Sequence, residues 1–509
     1  MKKELSRQQF LRQMALLSGG VTWGLGSFTG KAFGATPYAQ AARGKILVII
    51  QLNGGNDGLN TIIPAEDDNY FTKRPDISIK KEDALPLSNG MYMNPAMASM
   101  KSLYDKGLVA ITQSVGYANP NRSHFRATDI WNTGSDATTV WDEGWAGRFL
   151  EMQYPDYPIQ LPKDPMAIQL GSVESLLFQT DVGRVGTVFE DPNLFYQLVS
   201  GTLADSELPP ATLAGDELAF LKQIASSSVQ YSTVIRDAAN KAKNAYTYPN
   251  TNLAKQLSIV ARLVAGGLET PVYLANIGGF DTHANQKTQH ANLWKTISEA
   301  VSAFQNDMTN QGLADAITVM TFSEFGRRVN QNGTQGTDHG TAAPMLFIGN
   351  NVRGGLIGAN PSLTNLDSNG DLRYNFDYRQ IYSTVLRDHL GLDAFKTQEL
   401  FKQTFERVPI FKNSPDALPD TLGMEINSPM PNPVTDFTVI QYAVYKPVLD
   451  IKITLFDLQG KEIKTLYRGT RTPGTYQLTL NALSLSPGIY LVHMASTSGL
   501  SMYKRMLVQ

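Results

Sequence analysis

The sequence predicts a doubly wound, mostly parallel α/β sheet followed by a small C-terminal all-β sandwich. Up to about residue 412, strands alternate with amphipathic helices. A stretch rich in proline follows over residues 413–433, and only short strands come after it. Strand–helix–strand order places parallel strands in one sheet with helices on both faces. Short alternating strands separated by turns are typical of a sandwich.

The α/β pattern begins with residues 45–52 (KILVIIQL), a continuous apolar run of the kind expected for a strand buried on both faces. Apolar residues at helical spacing and further strands follow it. The predicted elements are a helix over 253–268, a strand over 271–277, a helix containing Leu293 to Met308 and a strand over 316–322. Residues 203–246 have a mostly helical pattern, which predicts a cap or insert. The α/β domain is therefore expected to span residues 44–412.

Five prolines between residues 413 and 433 predict an extended linker, because proline fixes φ and removes a backbone donor. After the linker, residues 434–509 form the predicted sandwich. Its expected strands are 437–444, 449–456, 475–480, 489–495 and 501–508. Turn residues such as Ser486-Pro487-Gly488 separate them.

Composition excludes several classes of function. The chain has 509 residues, with 44 basic and 46 acidic side chains and a net charge of −2. This balance gives no bulk attraction to nucleic acid or to an anionic membrane. The absence of cysteine excludes disulfides, thiolate metal ligands and a cysteine nucleophile. No apolar run reaches the roughly 18 residues that a membrane-spanning helix needs, so we expect no membrane span.

Residues 1–41 have the pattern of a signal peptide. Basic residues open the chain, a weakly apolar segment follows over 14–28, and Ala39-Gln40-Ala41 offers a cleavage site. The segment from Ser6 to Arg12 resembles the twin-arginine signal, with Gln8 in place of the second arginine. Export is therefore predicted, while the twin-arginine and the general route both stay open. The alternative is an amphipathic N-terminal helix of the mature protein.

Polar clusters follow three of the predicted strands. Residues 53–58, 278–283 and 323–328 each come directly after a strand, and residues 337–340 come just before the apolar run 344–348. Ligands of open α/β sheets bind beyond the carboxyl ends of the strands. These clusters contain carboxylates and imidazoles, the ligands of zinc, manganese, magnesium or calcium. The candidate metal ligands are Asp57, Asp281, His283, Glu324 and His339.

Spacing supports the central pair of this set. Asp281 and His283 are two residues apart and point the same way in an extended segment. The alternative interpretation is structural. Asp57 and Asp281 are then turn residues, Glu324 a helix-terminal acid and His339 a hydrogen-bonded loop histidine.

Several motifs together resemble an exported bacterial family called domain of unknown function 1501. The motifs are Gly54-Gly55-Asn56-Asp57-Gly58, Ser123-His124-Phe125-Arg126, Gly144-Trp145-Ala146-Gly147-Arg148, Gly279-Phe280-Asp281-Thr282-His283, Ser323-Glu324-Phe325-Gly326-Arg327 and Asp338-His339-Gly340. The resemblance spans roughly residues 45–411. That family is similar in fold to the alkaline phosphatase and sulfatase superfamily. The resemblance implies a secreted, metal-dependent hydrolase of phosphate or sulfate esters, acting on a small molecule or a polysaccharide.

The superfamily's ligands map onto this chain with departures. Asp57 matches its first-strand ligand, and Asp281 with His283 resembles its Asp/His pair. Glu324 stands where a later aspartate is expected, and His339 resembles the last histidine. The superfamily usually spaces the pair as Asp-x-x-x-His, whereas this chain has Asp281-x-His283. No histidine follows Glu324, where phosphatases have an Asp-His dipeptide.

Ser123 and Arg126 are the candidate catalytic residues. In the superfamily that the chain resembles, the nucleophilic alkoxide starts a helix, where free amides stabilise negative charge. Ser123 precedes a predicted helix that continues to Trp131. Arg126 would clamp the transferred group. The alternative is that Ser123 is only an N-cap.

The C-terminal segment resembles the sorting domain of the type IX secretion system. The matching residues are Pro431-Asn432-Pro433, the hairpin from Ile453 to Lys461, Leu485-Ser486-Pro487-Gly488-Ile489-Tyr490 and the terminal Lys504-Arg505-Met506-Leu507-Val508. The resemblance implies recognition by a secretion translocon, an outer-surface or extracellular location, and a tag that is often removed. The alternative is a carbohydrate-binding or adhesive sandwich.

Two functions therefore stand side by side. The first is ester hydrolysis with one or two bound cations, in which Ser123 or water attacks the phosphoryl or sulfuryl group. The second is a non-catalytic surface or secreted binding protein that keeps the fold. The missing second histidine and the irregular pair spacing favour the second.

Overall fold

A nine-stranded sheet organises the larger domain. The structure is a computed structural model, and it describes residues 44–200, 229–414, 423–445, 449–458, 460–497 and 501–509. The strands of this sheet are β1 (Ile46–Leu52), β2 (Val109–Gly116), β3 (Ala167–Leu170), β4 (Gly186–Phe189), β5 (Val272–Ile277), β6 (Ile317–Phe322), β7 (Ala343–Ile348), β8 (Gly355–Ile357) and β9 (Phe376–Asp377). Short ribbons outside it are Ile62–Ile63, Leu85–Pro86, Tyr92–Met93, Gln179–Thr180 and Gly183–Arg184.

The sheet is mostly parallel, in the order β8-β2-β7-β6-β1-β5-β3-β4, with β9 added beside β2. The central strand β1 runs parallel to both neighbours, with Leu47 opposite Val272 of β5 and Ile46 opposite Ile317 of β6. Strand β7 runs antiparallel to β6 and β2. The amino end of β7 therefore lies at the same edge as the carboxyl ends of β6 and β2.

Helices cover both faces of this sheet. They are α1 (Gly58–Thr61), α2 (Asp68–Lys73), α3 (Ala98–Asp105), α4 (His124–Thr133), α5 (Trp145–Gln153), α6 (Pro192–Ser200), α7 (Asn252–Ala265), α8 (Gln286–Asn310), α9 (Tyr378–Thr384) and α10 (Ala394–Phe401). Residues 229–241 are also helical. Three 3-10 turns (Pro95–Met97, Leu176–Phe178, Ala314–Ala316) and a π-turn (Val385–His389) complete the helical elements described.

Alternate side chains of β1 point to opposite faces of the sheet and pack in two different hydrophobic clusters. Val48 and Ile50 pack in one buried cluster with α7 and α8. Leu47 and Ile49 pack in a second buried cluster with α4, α5 and α9. Because both faces of the strand are buried, its sequence is apolar throughout. The predicted doubly wound α/β fold is confirmed.

Most predicted elements lie within a few residues of the observed ones, and some predictions fall outside the described chain. Helix α8 extends well beyond the apolar pattern from which it was predicted. Strands β2, β3, β4, β8 and β9 were not predicted. Of the expected helical insert over 203–246, residues 229–241 are helical and 201–228 lie outside the described residues. The predicted signal peptide also lies outside them.

The C-terminal domain contains two antiparallel sheets around a common core. Its strands are β10 (Met424–Ile426), β11 (Phe437–Val444), β12 (Leu449–Asp457), β13 (Glu462–Arg471), β14 (Gly474–Asn481), β15 (Gly488–Ser496) and β16 (Ser501–Val508). One sheet has the order β10-β11-β14, and the other has the order β13-β12-β15-β16. All five predicted strands are present. The structure adds β13 and, within the predicted linker, β10.

None of the helices in the described part of the chain is long and apolar enough to cross a membrane.

Candidate metal centre

Four chain segments bring polar side chains to one edge of the large sheet. His124 begins α4 in the connection after β2, and Asp281 with His283 follows β5. Glu324 follows β6, and His339 precedes the antiparallel strand β7. The carboxyl ends of the parallel strands and the amino end of β7 meet at this edge. The sheet topology therefore places these five residues together, as open α/β sheets do with their ligand sites.

Two glycines after β1 allow the neighbouring loops to approach. Gly54 has φ +120°, and a Cβ atom there would lie 2.3 Å from the amide nitrogen of Asp281. Gly55 has φ +82°, and a Cβ atom there would lie 2.4 Å from the ring of Phe325. Any other residue at either position would be strained and would clash. The loops after β1, β5 and β6 are therefore in direct contact.

Arg327 holds these loops in place from within the protein. Its guanidinium is fully buried and lies 2.6 Å from Oδ1 of Asp281. It also donates hydrogen bonds to the carbonyl oxygens of Gly54, Gly55 (2.8 Å), Phe280 (3.0 Å) and Thr337 (2.9 Å). The side chain thus links the loops after β1 and β5 to the loop before β7, and it fixes the Asp281 carboxylate.

Three imidazoles converge on one oxygen of Asp281. The Nε2 atoms of His283, His339 and His124 lie 3.0, 3.2 and 3.5 Å from Asp281 Oδ1, respectively. The Nε2 atoms of His283 and His339 are 3.0 Å apart. His124, Asp281 and His339 form a group whose donor atoms all lie within 4.8 Å of one another. We name His124, Asp281, His283 and His339 the histidine–aspartate cluster.

The second nitrogen of each ring has an acceptor as its partner. The Nδ1 contacts are His124 with Glu324 Oε1 (2.8 Å), His283 with Asp338 Oδ1 (3.1 Å) and His339 with the carbonyl oxygen of Arg122 (2.8 Å). Ionised carboxylates and carbonyl oxygens only accept hydrogen bonds, so each Nδ1 carries the proton. In its neutral form, each ring then directs an Nε2 lone pair toward Asp281, as metal-ligating histidines do.

This arrangement fits a divalent cation. Two lone pairs facing each other at 3.0 Å repel, and Nε2 of His124 is buried without a hydrogen-bond partner among the described residues. Arg327 Nη1 lies 3.5 Å from Nε2 of His283, which is longer than an ordinary hydrogen bond. Ligand atoms bound to tetrahedral zinc lie about 3.3 Å from one another. The donor atoms of His124, Asp281 and His339 have the chemistry and the mutual proximity that such an ion needs, and Nε2 of His283 lies 3.0 Å from two of them.

The ionisation states suit metal binding. Burial tends to raise the pKa of Asp281, but hydrogen bonding to Arg327 and its positive charge outweigh this effect and lower the pKa to about 2. Partial burial lowers the pKa of His339 below its usual value. At neutral pH Asp281 is therefore a carboxylate and His339 is neutral, the forms that act as ligands.

Of the five predicted ligands, Asp281, His283 and His339 lie in the cluster. Asp57 is fully buried elsewhere, 2.6 Å from Arg74 Nη1, and its Oδ1 caps α1 at the amide of Leu59. Burial acts to raise the pKa of Asp57, but the charge and hydrogen bond of the adjacent Arg74 outweigh this effect, so the net shift is downward. Glu324 is also nearly buried, and it orients His124 while accepting a bond from the Gly54 amide at 2.8 Å.

Of the predicted catalytic pair, only Ser123 adjoins a residue of the cluster. Ser123 is the exposed N-cap of α4, and its side chain makes no capping bond to the helix. Nη2 of Arg126 donates to the carbonyl oxygen of Thr139 at 2.7 Å. Arg126 thus contacts a surface loop, whereas Ser123 lies next to the ligand-like His124.

Sequence reasoning missed three residues of the centre, namely His124, Asp338 and Arg327. Each was part of a motif already singled out, and His124 is one of only six histidines in the chain. The missing signal was strand β2. Without that strand, the segment around His124 was not placed at the same sheet edge as the other clusters.

An open cleft of about 430 Å³ lies against the cluster. Its walls include Gln51, Asn53, His124, Phe125, Thr128 and Asp281. Phe125 is 87% exposed, which is unusual for a phenylalanine. The cleft gives the histidine–aspartate cluster access to solvent and to small ligands.

Comparison with protein families confirms both resemblances. Residues 200–406 match the family described as Protein of unknown function (DUF1501), and residues 430–509 match the Secretion system C-terminal sorting domain. No curated protein matches the chain. The protein is thus a mixed α/β protein in which one segment matches the DUF1501 family and the C-terminal segment matches the sorting-domain family. That sorting domain marks it for export through type IX secretion to the cell surface or the extracellular space.

Solved structures similar to the chain are distant. A protein in the alkaline phosphatase superfamily from Vibrio parahaemolyticus has 9% identity and a TM-score of 0.34, with coverage of 85% of this chain and 78% of that one. The PsFucS1 sulfatase from Pseudoalteromonas sp. has 10% identity and a TM-score of 0.32, with coverage of 87% and 85%. Dimeric latent PorU from Porphyromonas gingivalis has 15% identity and a TM-score of 0.15 over 17% of this chain, which spans only 9% of PorU.

Proposed function

We propose that this protein is a secreted, metal-dependent hydrolase of phosphate or sulfate esters. The observation that carries the proposal is the convergence of three imidazole Nε2 atoms on Asp281 Oδ1 while each Nδ1 is engaged by an acceptor. In the proposal, His124, Asp281, His283 and His339 hold one divalent cation. Glu324 and Asp338 orient His124 and His283.

The donor set favours zinc or another transition metal over calcium and magnesium. Three imidazole nitrogens and one carboxylate suit zinc, whereas calcium and magnesium prefer oxygen ligands. When bound, such a cation polarises a phosphoryl or sulfuryl oxygen as a Lewis acid and lowers the pKa of water. The buried Arg327 neutralises part of the charge on Asp281 and keeps this carboxylate in position.

Ser123 is retained as the proposed nucleophile, and Arg126 is not retained as the clamp. Ser123 precedes His124 at the amino end of α4, and among the described residues its hydroxyl has no hydrogen-bond partner. Helix amides at that end favour negative charge on an attacking oxygen or on a bound ester. Arg126 instead donates to Thr139, away from the cluster residues.

The test measures hydrolysis of para-nitrophenyl phosphate and para-nitrophenyl sulfate by metal-stripped protein reloaded with zinc or manganese. Turnover should return only with metal and should fall at least 100-fold in His124→Gln, because a ligand is lost. Ser123→Ala should lower kcat while leaving metal content unchanged. His493→Gln, on a strand of the C-terminal domain, is the matched histidine control. A fully metallated protein that hydrolyses neither ester would contradict the proposal.

A non-catalytic, metal-containing binding protein is the second candidate. One observation favours it. Arg327, whose guanidinium lies against the histidine–aspartate cluster, donates its hydrogen bonds to Asp281 and to backbone carbonyl oxygens. Its guanidinium is also fully buried, so it presents no exposed donor to a phosphoryl or sulfuryl oxygen. Metal at full occupancy together with no turnover in the ester assay would select this candidate.

A further inference from the structure

Glu425 on the first C-terminal strand faces the α/β domain. Its neighbours in β10, Met424 and Ile426, are buried in the core of the C-terminal domain. Successive side chains of a strand point to opposite faces, so Glu425 points away from that core. Its carboxylate contacts Arg387 and Arg407, both of which belong to the larger domain. One strand thus contributes to the core of one domain and to a contact with the other.

The contact is a buried network with four charges. Glu425 Oε1 lies 2.6 Å from Arg387 Nη2 and 2.6 Å from Arg407 Nη2. Tyr445, just after β11, donates its hydroxyl to Glu425 Oε2 at 2.6 Å. Arg407 also pairs with Asp388. We name Arg387, Asp388, Arg407 and Glu425 the interdomain charge cluster.

The positive and negative charges of this network are equal in number only when both domains are present. The side chains of Arg387 and Glu425 are 6% and 8% exposed. Burial acts to raise the pKa of Glu425, but the two arginines outweigh it and lower the pKa to about 2. Without Glu425, two guanidinium groups would face only Asp388. Removing one partner of a buried ion pair is strongly unfavourable, because the other charge stays desolvated and unpaired.

Two further hydrogen bonds extend the same interface. Gln398 of α10 accepts a hydrogen bond from the amide of Thr475 in β14, at 2.6 Å. Glu406 accepts one from the amide of Gly423 at 3.0 Å. Strand β14 is an edge of its sheet, and α10 packs against it. The contact thus covers backbone groups that an edge strand would otherwise expose.

We propose that the sorting domain is docked on the α/β domain through the interdomain charge cluster and stays bound after the connecting chain is cut. This inference does not depend on the proposed hydrolase activity. All four charged residues lie outside the segment matched by the sorting-domain family, which begins at residue 430. The docking is therefore a property of this chain. Cleavage between the domains would leave a two-piece protein.

The test replaces residues 416–421, which join the two domains, with a site for a specific protease in the full chain. After complete cleavage, the fragments should elute together from a size-exclusion column in 0.15 M and in about 1 M salt, because buried pairs are little screened. Elution of two separate fragments at 0.15 M salt would overturn the proposal.

Variants assign the contact to the named residues. Glu425→Gln should speed dissociation of the cut fragments at least tenfold, whereas Glu462→Gln, which breaks an exposed pair with Lys452, should not change it. Arg407→Gln tests the same network from the α/β side, so the result does not depend on folding of one altered domain. Circular dichroism checks that each variant is folded. Unchanged dissociation in both cluster variants would overturn the assigned role.

Discussion

Each imidazole of the histidine–aspartate cluster has one nitrogen engaged by an acceptor and the other directed at Asp281. This division of roles distinguishes a ligand set from histidines that are only buried. His389 provides the contrast, since both of its nitrogens have partners within the protein, Ile46 O and Thr318 Oγ1. Burial lowers the pKa of His389 to about 4. It is therefore a neutral core residue, as its helical sequence pattern indicates.

Asp57 gives the sharpest single-residue prediction. Asp57→Asn should lower the free energy of unfolding by about 3–5 kcal/mol, because it leaves the buried Arg74 without its carboxylate. Metal content should not change, since Asp57 does not contact the cluster. Urea unfolding and elemental analysis of the same sample measure both effects. Asp105→Asn, which breaks an exposed pair with Lys101, is the control and should cost less than about 1 kcal/mol.

Loss of metal in Asp57→Asn with unchanged stability would instead support the sequence-based assignment of Asp57 as a ligand.

Sequence spacing located part of the centre and missed the rest for a physical reason. Asp281, His283 and His339 were found because glycine-rich turns at strand ends are visible in one dimension. Arg74 is 17 residues from Asp57 and pairs with it only after folding. The local sequence around an aspartate does not show whether its carboxylate neutralises a buried arginine or binds a metal. Only the partner, which is set by tertiary structure, distinguishes them.

At the scale of elements, the glycine turn after β1 decides how closely the site loops pack. Gly55→Ala should reduce stability and metal affinity together, because the added Cβ would overlap the Phe325 ring and approach Arg327 Nε to 3.3 Å. Gly312→Ala is matched in backbone conformation, with φ +71° and no atom within 4 Å of the new Cβ. It should cost about 1 kcal/mol from backbone strain alone.

Thermal unfolding and a zinc titration compare the two glycine variants. Equal losses of stability, with metal affinity unchanged in both, would show that crowding at Gly55 does not shape the site.

Strands with uninterrupted or regular apolar patterns were predictable, whereas several others were not, and β2 and β13 show why. Strand β2 contains Thr112, Gln113 and Ser114, which are polar but buried. Ser114 also has φ +52°, and the pairing with β7 shifts register nearby. Strand β13 exposes most of its side chains, so it lacks an apolar face. In both cases neighbouring strands, rather than the local pattern, determine the structure.

At the scale of the whole molecule, acid should weaken the union of the two domains. The pKa of Glu425 is about 2 in the folded protein, below the ordinary glutamate value of about 4.3. Its contribution, on the order of 3 kcal/mol, is therefore complete above about pH 4.3 and is lost as the pH falls toward 2. Calorimetry between pH 6 and 2 should show this loss in the wild type.

The same scan of Glu425→Gln is the control. That variant should begin less stable and should show a smaller loss over this window. An identical pH dependence in both proteins would contradict the role of Glu425.

The overall architecture was predictable because the two domains have different patterns of apolar residues. One pattern indicates alternating strands and helices, and the other indicates strands alone. The contact between the two domains was not predictable, since Glu425 lies in a three-residue strand within a proline-rich stretch. Its arginine partners are 38 and 18 residues away in sequence. Interdomain contacts of this kind depend on how two completed folds fit together, which no local pattern contains.

The central claim is that the histidine–aspartate cluster holds one divalent cation. The most direct measurement is elemental analysis of the purified, zinc-supplemented chain beside His124→Gln and Asp281→Ala, followed by X-ray absorption at the zinc edge. The account predicts about one zinc per wild-type chain, a first shell of imidazole nitrogen and carboxylate oxygen, and loss of zinc in both variants. Wild-type protein without metal, or variants that keep it at full occupancy, would contradict the account.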